Sequence, residues 1–192
     1  MPPIEIRPYR VGWPSEFRAV GAGLRQALGP LALAINHIGS TSVPGLDAKD
    51  VIDVQVSVRA LDAEALRPAL GRAGYTLRDD IARDHVPSGE DPAPERWSKL
   101  MAVAPEGARR THIHLRVRGR PNERYPLLFR DFLRATPAAA GSYALIKREL
   151  AARHADDVDS YYAVKDPACD LIMVAAEPWA TATGWTLPPS DA

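Results

Sequence analysis

Between Ile52 and Val58 apolar and polar side chains alternate without a break: Ile52, Val54, Val56 and Val58 share one face, and Asp53, Gln55 and Ser57 share the other. That period predicts a strand with one face in a core and a polar face left to work. Thr111 to Val117 alternates as clearly, with Ile113, Leu115 and Val117 opposed to His112, His114 and Arg116. Together with Trp97 to Ala104 it reads as a β-hairpin joined through Pro105-Glu106-Gly107. Shorter strands are predicted at Leu31 to Ile38 and Tyr75 to Arg78.

Elsewhere the spacing is helical. Phe17, Val20, Leu24 and Leu28 form one stripe after Trp13-Pro14, and Gly29-Pro30 stops that helix. Asp62 is placed to cap a helix carrying Ala63, Leu66 and Leu70, and Gly74 to end it. From about Asn122 onward the pattern is helical, in three segments separated at Pro137 and at His154 to Asp157. Asp79 to Pro94 has no consistent period and reads as a mobile loop beside the polar face. The tail from Thr181 reads as frayed, with Trp179 and Trp185 placed to tack it onto the body. The expectation is an α/β (α+β) protein: a sheet-based unit over residues 1–120, a C-terminal helical segment over 121–180 packed on it as one structural unit, and a tail over 181–192.

Composition narrows the function classes. The 192 residues are 46 % hydrophobic, enough for a real core, and carry 24 basic and 24 acidic side chains. That balance creates no global field toward nucleic acid or an anionic membrane, so nucleic acid is not an expected partner. No stretch approaches the roughly 20 apolar residues that span a bilayer, and the start MPPIEIRPYR lacks a signal-peptide core. The single Cys169 lies in an apolar helical stretch, which fits a reducing, cytoplasmic setting and excludes a disulfide framework. Oligomeric state is left open.

The candidate chemistry begins at His37-Ile38-Gly39-Ser40-Thr41-Ser42, a small-residue turn ahead of the strand bearing Asp53. Such a turn lets phosphate oxygens approach backbone N–H groups, while the carboxylate holds a cation bridging those oxygens. This is how a nucleotidyltransferase palm begins. Catalysis of that kind uses two acids two positions apart, and here the second position is Gln55, a neutral ligand at best. Asp47 and Asp50 are alternatives to it, or ordinary loop charges. If the hairpin pairs beside the Asp53 strand, Asp53, His112 and His114 share one sheet face and would suit Zn²⁺, Mn²⁺ or Fe²⁺ better than Mg²⁺; the same face without metal would meet substrate or water. Gly39, Ser40, Thr41 and Ser42 are candidates for phosphate, against a plain turn motif, and His37 for holding that turn. Tyr143 with Lys147, and Tyr162 with Lys165, each set a cation beside a ring at helical spacing, as nucleotide clamps or as solvated helix faces. Arg130 and Arg134 make an anion cradle or a salt-bridged face.

The string from Ile35 to Leu46, then Lys49 and Ile52-Asp53, Thr111 to Leu115, Leu127 to Arg134, Tyr143 with Lys147, and Tyr162 with Lys165 resembles the GrpB family over about residues 4 to 175. The resemblance implies a nucleotidyltransferase-like, mixed but mainly antiparallel palm sheet with flanking helices, and a nucleotide pocket of no established substrate. Some relatives of that family carry a similar domain fused to dephospho-coenzyme A kinase. This chain has no Gly-x-x-x-x-Gly-Lys-[Ser/Thr] loop, so kinase chemistry of that type does not follow. Two expectations stand side by side: metal-dependent nucleotidyl transfer involving Asp53 and Gln55, with a divalent cation (Mg, Mn or Zn), or a binding module that has lost turnover. A folding-accessory role would need an exposed apolar surface that the sequence does not locate.

Overall fold

The computed structural model describes residues 3–192. Five strands, β1 (Ala34–Ile38), β2 (Ile52–Val58), β3 (Thr76–Arg78), β4 (Leu100–Val103) and β5 (Thr111–Val117), form one sheet in the order β1-β2-β5-β4-β3. Only the central β2·β5 pair is parallel; β1·β2, β4·β5 and β3·β4 are antiparallel. The mixed, mainly antiparallel sheet is the nucleotidyltransferase-like arrangement that the family resemblance implied.

Alternation along β2 and β5 sorts the two faces. On one, Ile52, Val54, Val56, Val58, Ile113 and Leu115 pack with Trp13, Phe17, Leu24 and Leu28 of α1 (Trp13–Leu28) and Leu66 and Leu70 of α2 (Ala63–Arg72). Asp62 caps α2 by accepting from the N–H groups of Glu64 and Ala65, and Gly74 follows at φ 83°. On the polar face lie α4 (Pro121–Ala135), α5 (Pro137–Arg153) and α6 (Val158–Thr183), whose shared core includes Leu128, Phe132, Leu133, Tyr143, Ala144, Cys169 and Met173. Among the described residues no helix is long and apolar enough to cross a membrane.

Leu31, predicted to open the first strand, closes a 3-10 turn (Gly29–Leu31), and three further segments differ from expectation. The loop after β3 is held to the sheet, because Asp84 accepts from Lys99 Nζ (2.7 Å), from Arg116 Nε and Nη2 (2.8 Å each) and from Asn122 Nδ2 (3.0 Å). A one-turn helix, α3 (Pro94–Trp97), stands where the first residue of a strand was predicted. The tail is not frayed. Helix α6 runs to Thr183 and stops at Gly184, whose φ of 65° suits a left-handed cap. The chain then returns along β1: Ile35 N–H donates to Ser190 Oγ (2.8 Å), Ile35 C=O accepts from Asp191 N–H (2.9 Å), and His37 N–H donates to the Asp191 carboxylate (3.0 Å). Backbone-directed bonds of this kind leave no hydrophobic period in the sequence, which is why the segment looked unstructured.

Candidate functional site

Parallel pairing of β2 with β5 sets Asp53 opposite His112 and Gln55 opposite His114. Asp53 Oδ1 lies 3.4 Å from His112 Nδ1 and 3.7 Å from His114 Nε2. One donor atom from each of the three residues falls within 4.8 Å of the others. Burial alone would raise the Asp53 carboxyl, but the two facing imidazoles outweigh it and hold the group well below the usual carboxylate range. Burial pushes His114 down to about 4, against the pull of Asp53. At neutral pH the cluster therefore offers an anionic carboxylate and a neutral imidazole at His114, the protonation states that metal ligation requires.

Two imidazole nitrogens and one carboxylate oxygen fit a borderline divalent cation. The surroundings fit less well at one point. A metal-bound imidazole ordinarily donates its other N–H to an acceptor, and His114 Nδ1 instead meets Lys99 Nζ at 3.4 Å. Ligation at Nε2 calls for Lys99 to turn away from His114 and stay on Asp84.

Gly39 sits against the cluster. Its φ is 69°, and a Cβ there would overlap Asp53 Oδ2, so the turn approaches the carboxylate as only glycine allows. The next three residues form a 3-10 turn, Ser40–Ser42. Within it the hydroxyls diverge in use. Thr41 Oγ1 donates to Val51 C=O (3.2 Å) and meets His37 Nε2 (3.0 Å), while Ser42 Oγ donates to Gly39 C=O; both side chains are buried. Ser40 is half-buried and accepts from Lys147 Nζ at 2.8 Å. Lys147 also donates to the Asp47 carbonyl and lies 4.6 Å over the Tyr143 ring. Lys165, on α6, lies 5.3 Å over the Tyr162 ring and donates to Asp166 Oδ1 (3.1 Å). The Tyr162 hydroxyl accepts from Lys49 at 2.7 Å. Tyr143 is buried, with its hydroxyl 3.4 Å from Cys169 Sγ.

Gln55 is fully buried beneath α4, where its Nε2 donates to Glu123 C=O (3.0 Å) and its Oε1 accepts from Arg116 Nη1 (2.8 Å). Both ends of the amide are committed, so Gln55 does not stand as a cation ligand beside Asp53. Neither loop acid replaces it. Asp50 ties Arg109 (2.6 Å), Arg10 (2.8 Å) and Trp13 Nε1 (2.8 Å) together, and Asp47 pairs with Arg148. Arg130 and Arg134 belong to the salt-bridged reading: Arg130 binds Asp131, Asp191 and His37 C=O, and Arg134 donates to Ser42 C=O. Lys99 and Asp84 were missed in the sequence. The one available signal was Arg116 on an inward sheet face, since a buried guanidinium demands a carboxylate.

His37 is structural, stacked on Phe17 at 4.6 Å between ring centres. Burial pushes its imidazole from 6.5 down to about 4, so the unfolded chain takes up a proton before the folded one. Stability is accordingly full above about pH 6.5 and falls as pH drops toward 4, with His37 contributing roughly 2–4 kcal/mol of the loss. His114 acts in the same direction. Urea melts across that window should show the decline, and a flat profile would contradict the neutral His37 assignment.

The comparisons with known proteins bear on the family and the fold. The model of a family described as GrpB protein matches residues 3–174. A crystal structure of the conserved protein GrpB from Enterococcus faecalis is 30 % identical, with a TM-score of 0.73 over 91 % of this chain and 99 % of that one. A dephospho-CoA kinase of Mycolicibacterium paratuberculosis is 35 % identical over 95 % of this chain but 48 % of its own length. The chain thus spans about half the length of the curated relatives it matches first. A chain in the structure of the GLD-2/RNP-8 complex is 11 % identical with a TM-score of 0.50 over 96 % of this chain and 56 % of that one, a likeness of fold alone.

Proposed function

Since this chain belongs to the GrpB family, we propose that it binds a nucleotide or another phosphorylated small molecule through one divalent cation held by Asp53, His112 and His114. The observation that carries this reading is the convergence of those three side chains beside the Gly39-Ser40 turn. Two nitrogens and one oxygen favour Zn²⁺ or Mn²⁺ over Mg²⁺. A cation there would supply charge to phosphate oxygens, Ser40 offers a hydroxyl, and Lys165 and the protonated share of Lys147 offer positive charge from the helical side, with the Tyr143 and Tyr162 rings beneath them. A reducing cytoplasm suits the free thiol of Cys169.

A second reading, nucleotidyl transfer from a nucleoside triphosphate, draws on the Gly-Ser turn ahead of Asp53. Transfer of that type ordinarily uses two cations about 3.5–4 Å apart. With the Gln55 amide tied to Arg116 and Glu123, the second cation loses its usual ligand. We therefore favour binding over two-cation turnover. The kinase named for the longer relative is a property of a chain about twice this length and is not carried over.

Chelator-treated protein, titrated calorimetrically with Mn²⁺ and Zn²⁺ and then melted with ATP or tripolyphosphate, tests the reading. Saturation at about 100 times Kd should stabilise the fold by about 2.7 kcal/mol, a rise of roughly 5–10 °C. Absence of both cation binding and any shift would reject it.

A further inference from the structure

Ser40 and Lys147, placed above beside the phosphate, also stand as a close pair. Nζ lies 2.8 Å from Oγ and is steadied by the Asp47 carbonyl and the face of the Tyr143 ring. Among the described residues no carboxylate is in ion-pair contact with Lys147; that of Asp47 is taken by Arg148. Lys147 is 3 % exposed. The charged or titratable groups facing it are Lys49 and Asp47 from the loop, Lys165 and Cys169 from α6, and Tyr143 from its own helix. Burial foremost, with Lys165 next, pushes its amine down to about 7, so a large share is neutral near physiological pH. In its neutral share, a lysine amine 2.8 Å from a serine oxygen is within reach of the hydroxyl proton, the arrangement a serine nucleophile needs from its base. Ser40 is the hydroxyl of the turn that remains half-open, because those of Thr41 and Ser42 are spent on backbone carbonyls. The backbone N–H groups of Ser40 and Thr41, which open the 3-10 turn, donate to no backbone carbonyl among the described residues.

We propose that Ser40 is a nucleophile, and Lys147 its general base, for acyl transfer from an ester or thioester that carries an anionic group. Ser40 Oγ bonds to the carbonyl carbon as its proton passes to Lys147 Nζ. Collapse of the tetrahedral oxyanion breaks the C–O or C–S bond, and Nζ returns the proton to the departing alcohol or thiol. Water then cleaves the seryl ester with the same base, so the sum is ester plus water to acid plus alcohol or thiol. The anionic group rests on the phosphate reading; the dyad does not.

The test is a fluorophosphonate probe, whose fluoride a reactive Ser Oγ displaces, read by intact mass and peptide mapping. The expected result is one label on Ser40, at a rate that rises with pH through about 7 and then levels. Ser40→Ala should abolish it, and Lys147→Arg should slow it by about 100-fold or more while the melting curve verifies folding. No label on Ser40, or a rate indifferent to Lys147, overturns the dyad; if Lys147→Arg does not fold, a flat wild-type pH profile does the same. Tripolyphosphate binding with Mn²⁺, measured on the same sample, separates the two readings. Binding without labelling overturns the dyad and leaves the phosphate site, whereas labelling without binding supports the dyad and removes the phosphate site.

Discussion

Asp53→Ala is expected to weaken Mn²⁺ or Zn²⁺ binding by more than about 100-fold, a larger loss than removal of an outer-shell partner usually brings. Asp53 supplies the only carboxylate of the three-residue cluster, so the variant would leave two imidazoles with no anion to offset the cation. Its side chain is also the atom group against which Gly39 is packed, so its loss frees the turn that carries Ser40. Binding of ATP in the presence of Mn²⁺ should fall with the metal. The readout is calorimetry on folded variant, with Asp53→Asn as the isosteric control that keeps the packing and removes the charge. Metal affinity within a few-fold of the parent in both variants would place the cation elsewhere.

Asp84→Ala is expected to be the most destabilising single change in the polar layer. Its carboxylate accepts from Arg116 twice, from Lys99 and from Asn122, and the Arg116 and Lys99 side chains are only 7 % and 9 % exposed. Burial alone would raise its carboxyl, yet Arg116 and Lys99 hold it far below the ordinary range. Removing it strands two buried cations, which typically costs about 3–5 kcal/mol. For a chain of this size that corresponds to a fall of roughly 6–20 °C in Tm. Thermal and urea unfolding at neutral pH measure it directly; a loss under about 1 kcal/mol would mean that Arg116 finds another partner. Because Arg116 also holds Gln55, the variant should loosen the wall behind His114 as well.

Strand-by-strand, the palm was readable because alternation in β2 and β5 is a local property, and the parallel pairing of those strands then sets the polar positions side by side. The helices over residues 121–183 were readable for the same reason, from their apolar spacing and from the breaks at Pro137 and at His154 to Asp157. What could not be read locally was burial. Tyr143 and Lys147 share a helical face at any depth, and the packing of α5 against α4, α6 and the segment bearing Val43 and Leu46 takes them out of water. Gln55 stood out as a departure from a two-acid strand, but its partners, Arg116 and Glu123, lie 61 and 68 residues away. Asp84 sits in a stretch without period because it contributes one carboxylate, not a face. Its role is set by three residues from β5, α4 and the segment before β4.

The returning tail has a consequence for assembly. A rim strand such as β1 presents outward N–H and C=O groups on alternate residues, a ready template for a strand of another molecule. Here the outward groups of Ile35 and His37 are all taken, by Ser190, Asp191, Ala192 and Arg130. The opposite rim, β3, is three residues long and bears Arg78 paired to Asp80. The β1 margin is thus closed to strand exchange and the β3 margin is short and charged, so self-association of this protein should proceed through helical faces and not by extending the sheet.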